Sequence, residues 1–169
     1  MKNQLILLFL LAGMLSAPAL AQPCKFYKEG KDNNTGEPFK ESRNVLVKNY
    51  AFQLRKDGAE KLSCFMDIVI VGSLTYSITP KDTLYLKLEN YEMIKLVPDK
   101  EYAPKKIANM NGMVSKYLPY YRITKEIMEK LAASPIVQVR ILFDKPIEGA
   151  PKKPEAEAIV KAAGCLLKE

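Results

Sequence analysis

The residue types available for chemistry are few, because the chain of 169 residues has no histidine and only three cysteines. Without histidine, Ser-His-Asp and Cys-His nucleophile systems are excluded, together with the usual zinc geometries and the commonest general base near neutral pH. Three scattered cysteines make a poor zinc ligand set, and the sequence contains neither a Gly-rich phosphate loop nor a dinucleotide fingerprint. We therefore predict no cofactor and no metal, and we assign no catalytic residue.

Hydrolysis by a pair of carboxylates remains open, with Asp67 as the candidate. Asp67 interrupts an otherwise apolar segment, where desolvation would suit a general acid or base. The alternative is an ordinary strand aspartate that faces solvent or pairs with lysine or arginine. Because no second catalytic group can be placed beside Asp67, a hydrolase acting on envelope or dietary polysaccharide is the alternative function and not the leading one.

The N-terminus predicts export. Lys2 precedes an apolar run from Leu5 to Leu15, and Ala19-Leu20-Ala21 fits a small-x-small cleavage site. We expect residues 1–21 to be a secretory signal peptide, cleaved before Gln22, and the product to be periplasmic or extracellular. No later segment approaches the apolar length of a membrane span. The chain carries a formal charge of +7, of which Lys2 supplies one.

Basic and aromatic residues gather around 98–112, a segment with two prolines and a glycine that predicts a long loop. Lys105, Lys106, Tyr117 and Tyr121 are therefore predicted to lie near a surface for an anionic partner. Lysines beside stacking tyrosines would also suit a nucleic acid, but export argues against that partner. An anionic glycan, a lipid headgroup or an acidic protein patch fits the compartment better. The alternative is solvated lysines with tyrosines packed on a sheet.

The predicted export bears on the three cysteines, because an exported chain meets oxidising conditions in which disulfides form. Cys64 lies in an apolar strand pattern, where a thiol behaves as a small hydrophobe. Cys24 and Cys165 lie near opposite ends of the mature chain, and the termini of a domain are often close together. We predict a Cys24–Cys165 disulfide, with three free thiols as the alternative.

The elements that must position these residues begin with a hairpin over Thr83–Val97. Aliphatic residues alternate with polar ones on both of its strands, so one face is predicted to be buried. A three-residue loop, Asn90-Tyr91-Glu92, would place Leu88 opposite Ile94 and Leu86 opposite Leu96, with Asn90 as the candidate for a left-handed conformation.

A second hairpin is predicted around a turn at Asp57-Gly58-Ala59. Pairing Leu54 with Leu62 and Phe52 with Cys64 keeps the apolar residues on one face, which Leu46 is expected to share. The returning strand is apolar on both faces, which is typical of a central strand covered twice.

The remaining pattern predicts short strands at Leu74–Ile78 and 113–123 and a helix capped by Thr124 that ends at Ser134-Pro135. A strand from Val137 to Phe143 and a last helix opened by Pro154 complete the chain. The fold class is therefore α+β, a mostly meandering antiparallel sheet with two helices of the C-terminal half packed on it. We divide the chain into the signal peptide (1–21), a polar segment (22–43) and one domain (44–169).

Four features together are similar to a known group: the exported N-terminus, KDNNTGE, the TLYLKLENYEMIKL hairpin, and YYRITKEIMEKLAASPIVQVRI ahead of a helix with Cys165. The chain resembles small secreted proteins of unknown function from Gram-negative gut bacteria. Those proteins usually have glycine in the hairpin where this chain has Tyr91. The resemblance implies export and the fold class and supplies no activity. The leading function is a non-enzymatic envelope module that binds an anionic partner.

Overall fold

The computed structural model describes residues 24–47, 50–109, 112–142 and 146–169, and the predicted signal peptide lies outside them. The chain forms antiparallel sheets with two helices in its C-terminal half, which is the α+β fold predicted from the sequence. The strands are β1 Lys28–Lys31, β2 Pro38–Glu41, β3 Val45–Val47, β4 Tyr50–Asp57, β5 Lys61–Val71, β6 Leu84–Leu88, β7 Met93–Leu96, β8 Lys105–Asn109, β9 Gly112–Tyr117, β10 Tyr120–Ile123, β11 Ile136–Ile141 and β12 Ile147–Gly149. The helices are α1 Lys125–Ala133 and α2 Lys153–Lys168.

The larger sheet is built around β4 and β5. Its order is β1-β2-β4-β5-β9-β8, with β3 also paired to β4 and β10 also paired to β5. The smaller sheet has the order β12-β11-β6-β7. Both sheets and both helices contribute to one hydrophobic core, which includes Phe52, Met66, Leu86, Val139, Met128 and Ile159. The helices pack mainly against each other, and α2 also contacts β3, β4 and β11.

The β6–β7 hairpin buries the predicted face, but its register differs from the prediction by two residues. Leu86 lies opposite Ile94 and Leu84 opposite Leu96. The loop is Glu89-Asn90-Tyr91, closed by Leu88 N–H donating to Glu92 O (2.9 Å). Tyr91, and not Asn90, takes the left-handed conformation, with φ of 69°. A type I turn followed by a left-handed residue is the usual three-residue hairpin loop, and this places the left-handed residue last.

The β4–β5 hairpin shows the same two-residue difference. Leu54 lies opposite Cys64 and Phe52 opposite Met66, and the predicted pairs with Leu62 and Cys64 are wrong. The chain turns as predicted at Gly58, where φ is +59°. A shift of two residues leaves every side chain on its predicted face, so apolar alternation cannot distinguish the two registers.

Four further predictions are corrected in the larger sheet. The loop predicted at 98–112 contains β8, which pairs with β9, and the segment 22–43 contributes β1 and β2. Leu46 is exposed because β3 buries Val45 and Val47 instead. β5 is central as predicted, but its second face is only partly covered, since Ser63 is 0% exposed and Val71 is 81% exposed.

The segment Leu74–Ile78 forms no strand, and only a single bridge joins Ile78 to Tyr102. The predicted strand over 113–123 is two strands, β9 and β10, on successive parts of the β5 edge. In β11 the buried residues begin at Ile136, and Val137 is exposed next to a register shift. The predicted end of this strand at Phe143 lies outside the described residues.

Both helices begin where the sequence predicts. Thr124 Oγ1 accepts a hydrogen bond from Ile127 N–H (3.2 Å), and α1 ends before Ser134. Pro154 lies in the first turn of α2, and the helix continues through Gly164 to Lys168. The buried stripe of α2 consists of Ala156, Ile159, Ala163 and Leu166.

The charged end of the larger sheet is organised by Arg55. Its guanidinium donates hydrogen bonds to Asp57 Oδ1 (2.7 Å), Glu41 Oε1 (2.8 Å) and Asp32 Oδ2 (2.9 Å). The pKa of Asp32 is held below its usual value by the N–H groups of Asn34 and Thr35 and then by Arg55. These bonds tie the β1–β2 turn to β4.

We expect Tyr91→Gly to stabilise the protein relative to Tyr91→Ala. Both changes remove the phenol ring, whose centroid lies 6.0 Å from Lys87 Nζ. Only glycine also removes the strain of a side chain on a backbone in the left-handed conformation. The difference in the free energy of unfolding should be about 1 kcal/mol in favour of glycine. Urea titration of the two variants measures it, and equal stability would show that Tyr91 does not hold this conformation.

We expect acid to destabilise the native protein more than the Asp32→Asn variant. Because the folded-state pKa of Asp32 is depressed, its contribution is present above the unfolded-state value of about 3.9 and is lost as pH falls through the folded-state value. Urea titrations at pH 7 and pH 3 should show a smaller loss of stability in the variant. An equal loss in the native protein and the variant would contradict this role of Asp32.

Candidate functional site

The predicted surface for an anionic partner is not formed as a unit, because its two tyrosines are in the core. Tyr117 is 1% exposed and Tyr121 is 0% exposed. Tyr117 Oη donates a hydrogen bond to the carbonyl oxygen of Tyr76 (2.7 Å), and Tyr121 lies opposite the buried Cys64. Burial raises the pKa of Tyr121. Neither ring is available for stacking on a partner.

The two lysines of that prediction lie on β8, at an edge of the larger sheet. Lys105 and Lys106 are exposed, and Lys105 is opposite Lys116 of β9. Lysines on an edge strand prevent pairing with another chain. This position gives them a structural explanation that needs no ligand.

Asp67 is paired with a lysine, as the alternative interpretation of this residue expected. Its Oδ2 accepts a hydrogen bond from Lys116 Nζ (2.7 Å). On β4, the residue opposite Asp67 is Ala51. Asp67 Oδ1 has no hydrogen-bond partner among the residues that the structure describes. Among the described residues, no group of three or more His, Cys, Asp or Glu side chains is arranged to hold a metal ion.

Cys24 and Cys165 form a disulfide, the pairing expected from the sequence, with Cα atoms 5.5 Å apart. The bond joins the segment before β1 to the last helix across 141 residues of sequence. Cys64 is a free, fully buried thiol. Burial raises its pKa, so the thiol stays protonated and unreactive.

A cleft of about 490 Å³ lies beside this disulfide. Three parts of the chain that are distant in sequence form its walls: the segment before β1, the turn that enters β3, and one face of α2. Its lining residues are Lys25, Phe26, Ser42, Arg43, Val45, Ala158, Lys161, Ala162 and Cys165. We call it the disulfide cleft.

The α2 wall follows from helical spacing. Ala158, Lys161, Ala162 and Cys165 recur at intervals of three and four residues, which places them on one face of a helix. This face adjoins the stripe that α2 buries in the core. Alanine at two successive turns leaves room that larger side chains would fill.

The opposite wall is fixed to β4 through Ser42. Ser42 N–H donates to Leu54 O (2.9 Å), Ser42 Oγ accepts from Leu54 N–H (2.9 Å), and Gln53 Nε2 donates to Ser42 O (2.9 Å). Because Ser42 is held by three hydrogen bonds, two to its backbone and one to its side chain, the adjacent Arg43 begins from a fixed position at the cleft.

The electrostatics of the disulfide cleft are one-sided. Lys25, Arg43 and Lys161 contribute three cationic side chains, and none of the described residues that line the cleft is acidic. Within the described part of the chain, neither Lys25 nor Arg43 forms an ion pair with a carboxylate. Clustered charges of one sign in a concave surface concentrate ions of the opposite sign. The cleft is therefore suited to an anionic group.

A second depression, of about 380 Å³, lies on the outer face of the smaller sheet. Its charged residues are Lys87 and Arg140, and Arg140 Nε is bound to Glu148 Oε1 at 2.9 Å. Within the described residues, Arg140 therefore has a carboxylate partner, whereas Arg43 of the disulfide cleft has none.

The sequence prediction missed the disulfide cleft, although two of its features were visible. The disulfide pairing brings Lys25, which follows Cys24, next to α2. The spacing of Lys161 and Cys165 puts both on one face of that helix. The contribution of Ser42 and Arg43 depends on the path of β2 into β3, which the sequence pattern did not predict.

Comparison with known proteins gives no match to a family model, to a curated protein or to a solved structure. No helix in the described residues combines the length and apolar character needed to cross a membrane.

We expect the disulfide to contribute strongly to stability. In the chain-entropy model, closing a loop of this length stabilises the folded state by about 4–5 kcal/mol, so Cys24→Ser with Cys165→Ser should lower the free energy of unfolding by up to that amount. Urea titration measures the loss. Peptide mapping without reduction should recover the Cys24–Cys165 peptide pair, and alkylation of Cys24 in the unreduced, folded protein would contradict the bond.

Proposed function

We propose that this protein is an exported, non-enzymatic module that binds an anionic partner in the disulfide cleft. The observation that carries the proposal is the convergence of Lys25, Arg43 and Lys161 around a cavity of about 490 Å³, where the described part of the chain places no acidic lining residue. Cavities of about 300–1,000 Å³ hold ligands of drug size. The partner chemistry is that of an anionic glycan, a lipid headgroup or an acidic protein patch.

Two features support the exported location. The first is the signal-peptide pattern of residues 1–21. The second is the Cys24–Cys165 disulfide, since structural disulfides persist in oxidising compartments and are rare in the cytosol. The net positive charge favours association with the anionic components of a cell envelope.

The position of the charges distinguishes the disulfide cleft from the rest of the basic surface. Lys105 and Lys106 lie on an open strand edge and are exposed, as are Lys25, Arg43 and Lys161. The cations of the cleft instead face one concavity, so a single anionic group can contact more than one of them. Two contacts of this kind would together contribute about 1–2 kcal/mol, which corresponds to about a tenfold change in affinity.

We expect dextran sulfate to bind the mature protein in a salt-dependent manner, and neutral dextran not to bind. The double variant Arg43→Gln with Lys161→Gln should lose about tenfold in affinity, because it removes two of the three cations of the cleft. The control, Lys105→Gln with Lys106→Gln, removes the same charge from the edge strand and should lose less than about twofold. Titration calorimetry at low and physiological ionic strength measures both.

Two results would contradict the proposed function. One is dextran sulfate binding that does not weaken between low and physiological ionic strength. The other is an equal loss in the two double variants, which would mean that net charge and not the disulfide cleft controls binding.

A further inference from the structure

We infer that the ligand of the disulfide cleft is a single-chain amphiphile with an anionic headgroup. The inference rests on the proposed function and specifies the ligand class of the same site. The headgroup would lie among Lys25, Arg43 and Lys161, and the acyl chain would lie along the apolar floor of the cleft.

The floor is the reason to assign an apolar portion to the ligand. It consists of Phe26, Val45, Ala158, Ala162 and the disulfide at Cys165. Phe26 and Ala162 already pack against the hydrophobic core, and Val45 belongs to it. The exposed apolar surface inside the cleft is thus continuous with the protein interior. A hydrated sulfated or carboxylated glycan would leave this surface without an apolar partner, whereas a hydrocarbon chain would remove it from water.

The polar rim and the apolar floor are separated in a way that matches an amphiphile. The three cations belong to long side chains, whose apolar stems can follow the walls while the charged ends remain in water. The hydroxyl of Ser42 is already occupied, since it donates to Arg43 O (3.0 Å) and accepts from Leu54 N–H (2.9 Å). The three cations therefore supply the polar contacts to the ligand. Such contacts select a ligand for its negative charge and not for a pattern of hydroxyl groups.

The two alanines on α2 determine how much chain the cleft can take. Ala158 and Ala162 are one turn apart and line the same wall. A larger residue at either position would occupy the floor and leave all three cations in place. This makes it possible to separate binding of the chain from binding of the headgroup by substitution.

The probe is dodecanoate, used below the concentration at which it forms micelles. Dodecyl maltoside supplies the same chain without the negative charge, and acetate supplies a carboxylate without the chain. Titration calorimetry of the disulfide-intact mature protein should give binding of dodecanoate at least tenfold tighter than binding of either control. Circular dichroism at the same concentrations checks that the protein remains folded.

Ala162→Phe should weaken dodecanoate binding at least tenfold and leave dextran sulfate binding within about twofold. Arg43→Gln with Lys161→Gln should weaken both. Ala133→Phe, which places the same side chain at an exposed site at the end of α1, is the matched control and should change neither. If Ala162→Phe does not fold, Ala158→Leu serves instead, because Ala158 is more exposed than Ala162.

The inference is overturned if dodecanoate binds no more tightly than dodecyl maltoside or acetate, or if substitutions at Ala162 and Ala158 leave its binding unchanged. Dextran sulfate binding that still depends on Arg43 and Lys161 would in that case leave the proposed function intact. Failure of the proposed function is recognised separately, by dextran sulfate binding that is insensitive to those two residues.

Discussion

The pairing of β4 with β5 is the constraint on which the rest of the larger sheet depends. β5 spans eleven residues, binds β4 along one edge and binds both β9 and β10 along the other. Its inward face, from Leu62 to Ile68, is buried at every second residue. Because β4 in turn carries β2 and β3, this one hairpin positions the turn at Ser42 that forms a wall of the disulfide cleft.

Apolar alternation predicted which residues face the core far better than it predicted which residues are neighbours. In both predicted hairpins the correct face is buried, yet Leu54 pairs with Cys64 and Leu86 with Ile94, two positions from the predicted partners. A shift of two residues keeps every side chain on the same face of the sheet, so both registers fit the apolar pattern equally well. The conformation of the loop determines the register. In the β6–β7 hairpin the left-handed residue is Tyr91, and a tyrosine in the sequence does not indicate a left-handed conformation.

The functional residues were less predictable than the fold, for a related reason. Tyr117 and Tyr121 were expected on a surface with Lys105 and Lys106, although alternation in β10 already pairs Tyr121 with Ile123 on one face and Tyr120 with Arg122 on the other. The period of the strand, and not the clustering in sequence, determines where these tyrosines lie. The disulfide cleft required long-range information, since its walls come from segments more than a hundred residues apart. Only the disulfide pairing supplied part of that information in advance.

The disulfide has two roles in the structure that cannot be separated. It closes a loop across 141 residues, which restricts the unfolded chain, and it fixes Lys25 next to the helix face that carries Lys161. Among the described residues, this terminal segment also contacts β2 through the hydrogen bond from Tyr27 N–H to Glu41 O (2.9 Å) and through Lys40 Nζ, 5.2 Å from the centroid of the Phe26 ring. The geometry of the disulfide cleft is thus linked to the oxidised state of Cys24 and Cys165. An oxidising compartment, which the N-terminal sequence predicts, would therefore supply a condition for the proposed binding site as well as for stability.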